Sequence, residues 1–275
     1  MNDINPARLK PNAMSDVQST RDERALPIER VGIRGVRHPL TIRSKTGNFP
    51  SVGLFEMDVA LPAHVKGTHM SRFMALLQKQ DIAVDSTSVV AMVREMLPLL
   101  DAKEGHVQFT YTHFVTKAAP VSGVESLMDY EVAWMATVKH NAAGATDVAL
   151  GLRAQVPVMS LCPCSKEISD FGAHNQRSHV TMTVSLDPNT QMTVEDLVVA
   201  AESEASSELW GLLKRPDEKW VTERSYSNPK FVEDLVRDVA GNLKADQRIQ
   251  SFVVEAENFE SIHNHSAFAR ISHKQ

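Results

Sequence analysis

Apolar and polar residues alternate along much of the chain, and the period switches repeatedly to that of a helix. Phe55, Met57, Val59 and Leu61 alternate with Glu56 and Asp58, the two-residue period of a half-buried strand. The less regular stretch Val31–Arg43 before it reads as another strand. Thr68 can cap a helix with Met70, Phe73, Met74 and Leu77 on one face, and Val89, Met92, Val93 and Met96 mark a second helix ending near Pro98. Alternation returns at Val107, Phe109 and Tyr111. After the Pro120–Gly123 turn it resumes at Val132, Trp134, Ala136 and Val138.

The second half repeats this order. Val148, Leu150, Leu152 and Val156 form one alternating row, and Val180, Met182, Val184 and Leu186 form the most regular one. Thr193 with Asp196 has the capping-box pattern and opens a long helix to about Lys214. Asn228-Pro229 supply a cap and first residue for another helix, with Val232, Leu235, Val236 and Val239 on one face. Strands over Phe252–Glu257 and Ala267–Ile271 close the chain. The pattern is strand-strand-helix-helix-strand-strand, twice over, with a seam near His140–Thr146. It implies an α+β protein of antiparallel sheets with helices packed on one face. The expected division is a mobile polar tail over residues 1–27, a first module over 28–142 and a second over 143–275. One irregular α+β domain is the competing reading.

Composition narrows the class. The 275 residues are 23% charged and 43% hydrophobic, as in a soluble globular protein. No run approaches the ~20 apolar residues of a membrane helix, and the N-terminus lacks the apolar core of a secretory signal. A net charge of -5 argues against a broad nucleic-acid surface, so an anionic ligand would need a local basic cluster. Only Pro163 separates the two cysteines, Cys162 and Cys164, and a disulfide across so short a loop would be strained. A cytoplasmic protein whose cysteines serve chemistry is the expectation.

Three clusters carry reactive groups. Cys162-Pro-Cys-Ser-Lys-Glu167 and Gly172-Ala-His-Asn-Gln-Arg-Ser-His179 place thiol, imidazole and carboxylate close in sequence, the vocabulary of a metal site. One thiolate, one imidazole and one carboxylate would leave a coordination position open for water; inert cysteines beside a surface histidine are the bland alternative. Glu260-Ser-Ile-His-Asn-His265 places two histidines two apart, on the same side if the segment is a strand, suited to ligation or proton transfer. Taken alone, a solvated strand end is the favoured account of them. Lys214–Trp220 reads as a charged loop between two helices, and Glu233 as an exposed helix carboxylate. Gly67-Thr-His-Met-Ser-Arg-Phe73 offers backbone N–H groups and an Arg to a phosphate, or is a plain capped helix.

Together with Leu213-Lys-Arg-Pro-Asp-Glu-Lys219, Asn228-Pro-Lys-Phe-Val-Glu-Asp-Leu-Val-Arg237 and Ser261-Ile-His-Asn-His265, these strings resemble the prokaryotic GTP cyclohydrolase I, type IB family, from about residue 28 to the end. The resemblance implies two tandem tunnelling-fold (T-fold) modules, each a four-stranded antiparallel sheet with a helix pair on one face, assembled as a homotetramer. It implies conversion of GTP and water to 7,8-dihydroneopterin triphosphate and formate, the first step of tetrahydrofolate biosynthesis, with a divalent metal that is zinc, manganese or iron. Under it Cys162, His174 and Glu218 look like metal ligands, although Asp217 and Glu223 lie close to the last. Glu233 looks like the guanine anchor, and Glu260, His263 and His265 like the polar network beside the metal. His69, Ser71, Arg72, Lys166 and Arg177 are candidates for the triphosphate. Cys164 is then expected to be a small buried residue. A deazaguanine nitrile reductase of the same fold and a non-catalytic metal-binding protein are the alternatives.

Overall fold

The computed structural model describes residues 16, 18, 20–79 and 83–274. Most of the expected mobile tail lies outside them. Within them, Arg21 bridges Val65, and backbone bonds run from Asp22 to His64 and from Lys66 to Thr20, so this stretch is tied down before the first strand.

Eight strands follow in the described residues: β1 (Ile28–Ser44), β2 (Gly47–Leu61), β3 (Glu104–Ala118), β4 (Glu125–His140), β5 (Thr146–Leu161), β6 (Asn175–Leu186), β7 (Ile249–Asn258) and β8 (Ala267–Lys274). They form one antiparallel sheet in sequence order, each strand paired with its neighbours in the chain. The expected pair of sheets is thus one: β4 and β5, on either side of the 141–145 turn, pair from Glu131↔Gln155 to His140↔Thr146. Helices α1 (Met70–Gln78) and α2 (Ser86–Leu100) lie between β2 and β3, the short α3 (Pro163–Ile168) between β5 and β6, and α4 (Val194–Glu202), α5 (Arg215–Ser227) and α6 (Val232–Ala245) between β6 and β7. Among the described residues, no helix is long and apolar enough to cross a membrane.

The alternating strand residues and the apolar helix faces meet in one continuous core. Phe55, Met57, Phe109 and Trp134 from the strands join Phe73, Val93 and Met96 from α1 and α2; Leu152, Met182 and Val254 join Leu197, Leu235 and Val239 from α4 and α6. Full burial of each such side chain contributes roughly 1.5–3 kcal/mol.

Three local expectations are corrected, and the end of α2 is placed more closely. Thr68 does not cap α1; His69 occupies that position without a side-chain cap bond, while the buried Thr68 accepts a hydrogen bond from Gln18 on its carbonyl. Pro98 lies inside the last turn of α2, which runs on to Leu100. The helix from Thr193 begins with the expected capping box but ends at Glu202. β5 outruns β4, whose pairing stops at Gln155, and its free edge takes up residues 206 and 207: Ser206 and Ser207 bond across Met159, and the Ser206 hydroxyl accepts from the Leu161 N–H at 3.0 Å. Serine competes poorly for helix, so this edge wins the segment. Asn228 ends α5 rather than opening α6, its amide donating to the Ala205 carbonyl at 2.8 Å.

A buried carboxylate joins the halves. Glu195 on α4 accepts from the Ser44 hydroxyl (2.5 Å) and Lys45 N–H (3.0 Å) of the β1–β2 turn, with His113 Nε2 of β3 at 3.3 Å. Burial works to raise its pKa, but these partners outweigh that and hold it at about 2. Its stabilising charge is therefore present above the ordinary value of 4.5 and is lost as pH falls from there toward 2. Glu195→Gln should lose about 1–3 kcal/mol at neutral pH, and its deficit against the parent, read by urea unfolding, should shrink across that acid window. A pH-independent deficit would show that the charge is not what joins the halves.

Candidate active site

Cys162 and His174 are brought together by strand pairing. β5 and β6 pair up to Leu161↔Asn175, and one further backbone bond, Cys162 N–H to the His174 carbonyl at 3.1 Å, closes the ladder. Cys162 then caps α3, which makes the expected loop a short helix with Pro163 in its first turn. Its Sγ lies 3.5 Å from the Ser165 N–H, and the Ser165 hydroxyl accepts from the His174 N–H at 3.2 Å. Cys162 is half-buried. Cys164 is exposed, contrary to the expectation of a buried residue; it lies in the first turn of α3, a helix with no buried residues.

Two further elements meet the same strand end. The Lys230 N–H donates to the Leu161 carbonyl at 3.1 Å, which ties the chain just before α6, the helix that carries Glu233 in its first turn, to the end of β5. Asp234 accepts from the Phe231 N–H, whereas the exposed Glu233 carboxylate has no hydrogen bond or ion pair among the described residues. The β7–β8 loop arrives through Phe259 N–H to the Arg177 carbonyl (3.0 Å) and Ser261 Oγ near His174 Nδ1 (3.4 Å). It carries half-buried Glu260 and exposed His263 and His265. The two histidines are in this loop rather than on a strand, yet their rings stack at 5.1 Å between centroids and 14°.

Other candidates stand apart. His69, Ser71 and Arg72 belong to α1 and its cap, and His69 and Arg72 line a separate cavity of about 230 Å³ between α1 and the end of α2. Arg72 donates to the Leu99 carbonyl, and His69 lies 3.3 Å from Asp16. Lys166 is held by the Tyr226 carbonyl at 2.6 Å and lies over the Tyr226 ring. Arg177 is exposed on β6.

The three carboxylates of α5 separate cleanly. The segment read as a charged loop is the first turn of this helix, with Pro216 inside it. Asp217 is buried and accepts from Val121 N–H, Ser122 N–H, Ser122 Oγ and Lys214 N–H at 2.7–2.8 Å. Burial opposes its charge, but these donors hold the carboxyl well below the usual range. Glu223 pairs with Lys219. Glu218 is left exposed and unpaired among the described residues, about 12 Å along the helix from Tyr226 at 1.5 Å per residue. No group of three or more His, Cys, Asp and Glu donors able to hold a metal gathers within the described residues of one chain.

Sequence reasoning missed a buried polar trio beneath Cys162. Ser160, Ser178 and Asn258 lie at the same end of β5, β6 and β7, with Ser160 Oγ to Ser178 Oγ at 2.7 Å and Ser178 Oγ to Asn258 Oδ1 at 2.7 Å. The signal was present: each falls in phase with an inward apolar row, Val156 and Val158, Val180 and Met182, or Val254 and Ala256. Gln176 continues the β6 row and is also buried.

The sequence profile described as GCHY-1, type I GTP cyclohydrolase folE2, matches residues 14–269. The GTP cyclohydrolase FolE2 of Polynucleobacter asymbioticus is 87% identical over 272 residues, covering 99% of this chain and all of that one. That of Cupriavidus pinatubonensis is 58% identical over 98% of this chain and 96% of its own. Among solved structures, Bacillus sp. TB-90 urate oxidase aligns over 90% of this chain and all of that one, with a TM-score of 0.52 at 9% identity. Arthrobacter globiformis uricase gives 0.51 at 9%, over 90% of this chain and 93% of that one. These last two report shared fold alone.

Brief treatment of metal-free protein with iodoacetamide should modify exposed Cys164 ahead of Cys162, read by peptide mass spectrometry. The reverse order would contradict the placement of the two thiols.

Proposed function

The chain belongs to the type I GTP cyclohydrolase FolE2 family, and on that premise we propose that the strand end bearing Cys162, His174, Glu233 and the Glu260–His265 loop is where GTP is opened. The protein is a GTP cyclohydrolase of folate biosynthesis. The convergence of β5, β6, the β7–β8 loop and α6 on Cys162 is the observation that carries the location.

Substrate selection falls to Glu233. A free carboxylate accepts two parallel charge-assisted hydrogen bonds from N1–H and the 2-amino group of guanine, and adenine lacks that donor pair. Arg177 is a basic side chain of this strand end with no hydrogen bond or ion pair among the described residues, and it serves the triphosphate. Lys166 joins it on leaving the Tyr226 carbonyl. His69 and Arg72 line another cavity of the chain, with Ser71 between them on α1, so these three would reach a triphosphate from a second copy.

Cys162 and His174 fit two positions in the shell of a divalent ion such as zinc, manganese or iron: a thiol and an imidazole, joined backbone to backbone. We assign the completing carboxylate to Glu218, because Asp217 and Glu223 are already engaged. Since one chain does not gather all three, the shell closes between copies of a homotetramer. An ion held there would lower the pKa of a bound water to about 7. The chain's own groups move the protons. Water adds to C8 of guanine as a protonated side chain of the Glu260–His265 loop gives its proton to N7. Opening of the ring leaves a formamide, and a second addition of water releases formate while the same loop protonates the departing nitrogen. Positioned acids and bases of this kind contribute about 10²–10⁴-fold. The stacked imidazoles suit the later proton transfers, as the ribose rearranges and recloses on the amine. At the level of the fold, we read the sheet as two T-fold modules fused through β4 and β5, a reading supported by the repeated strand-helix-strand order.

Formate release from GTP by metal-reconstituted protein tests the function directly. Glu233→Gln should keep metal and fold yet weaken GTP binding by about 1–3 kcal/mol or more, since the amide turns a donor toward a donor; near-normal affinity would remove Glu233 as the anchor. Cys162→Ala should lose both metal and formate production, whereas Cys164→Ala keeps activity. A metal-replete, active Cys162→Ala protein would overturn the ligand assignment.

A further inference from the structure

His174 can offer a metal only the ring nitrogen that carries no proton, and the residues behind it decide which one that is. Its Nδ1 lies 3.0 Å from Gln176 Oε1 and 3.4 Å from Ser261 Oγ. An amide oxygen only accepts, so the imidazole nitrogen facing it must donate. The neutral ring is then Nδ1–H, with the lone pair on Nε2. Ser261 is exposed, and its longer contact involves a hydroxyl that can donate or accept, so it selects neither form.

Gln176 is well placed to impose this choice. It is 8% exposed, and its backbone pairs with Ser160 across the β5–β6 ladder. Ser160 belongs to the buried trio with Ser178 and Asn258, which anchors the ends of β5, β6 and β7 in one register. His174 itself is fixed by its carbonyl to Cys162 and its N–H to Ser165. The backbones that carry ring and acceptor are therefore both held, so the Nδ1–Oε1 contact is made between two anchored positions.

We propose that Gln176 is the positioning residue that fixes His174 as the Nδ1–H tautomer and presents Nε2 to a divalent metal ion. This rests on the reading of His174 as a ligand. Histidine ligands commonly donate their second nitrogen to a carboxylate, carbonyl or water, and loss of that partner typically lowers metal affinity about 10–100-fold.

The test separates the two ideas. In metal-free protein labelled with ¹⁵N-histidine, at a pH where the ring is neutral, His174 should show the Nδ1–H pattern. Gln176→Leu, close in size but without an acceptor, should shift it toward Nε2–H and weaken zinc binding about 10-fold or more in competition with a chelator. Gln176→Glu keeps an acceptor and should retain both the tautomer and the affinity, while Ser261→Ala should change neither. An Nε2–H wild type, an unchanged Gln176→Leu tautomer or affinity, or a switched tautomer in Gln176→Glu would overturn the proposal. Wild-type zinc affinity in His174→Ala would instead remove His174 as a ligand, leaving the tautomer result to stand by itself.

Discussion

The arrangement of the site depends on the register of β5 against β6. Twelve residues of β6 pair along β5, and the last bond of the ladder joins Cys162 to His174. A slip of one residue would reverse the face of every side chain on β6, and with it the inward row from Gln176 to Leu186. Burial of the apolar members of that row in the core resists such a slip. The hydrophobic core thus sets the position of the thiol relative to the imidazole, although neither belongs to it.

The trio of Ser160, Ser178 and Asn258 shows what this precision requires. Three adjacent strands end in polar residues where the pattern of the sheet calls for apolar ones. Each is buried and each is satisfied by another, so their desolvation is offset by mutual hydrogen bonding. An apolar trio could fill the same space but would not fix strand ends against one another along the strand direction. The chain carries such groups directly beneath the reactive strand end, with Met182, Val184 and Val254 in the interior of the sheet.

A second consequence follows from the unequal lengths of β4 and β5. Where β4 ceases to pair, the exposed edge of β5 captures Ser206, Ser207 and Lys230. That capture ends α4 early and ties the start of α6, with Glu233 in its first turn, to the end of β5. Asp217 does the corresponding work at the other end of α5, tying it to the β3–β4 turn of the first half and leaving Glu218 exposed next to it. Two adjacent carboxylates therefore have opposite fates, one consumed by structure and one free for chemistry.

Sequence alone determined the strands and their order, because the alternation at Phe55–Leu61, Val132–Val138 and Val180–Leu186 records which face of each strand is buried. It also carried the reactive strings around Cys162, His174 and His263, since residue types suited to proton and metal chemistry are legible without coordinates. It misjudged Thr193–Lys214, Thr68 and Asn228, where the outcome turned on competition with a free strand edge or a distant chain segment rather than on local propensity. Only the tertiary structure joined two expected sheets into one, separated Asp217 from Glu218, and placed Gln176 behind His174. The first two are decided by hydrogen bonds between residues distant in the chain, which spacing along it does not encode; the third, although Gln176 lies in phase with the inward row of β6, turns on the direction the His174 ring takes in the fold.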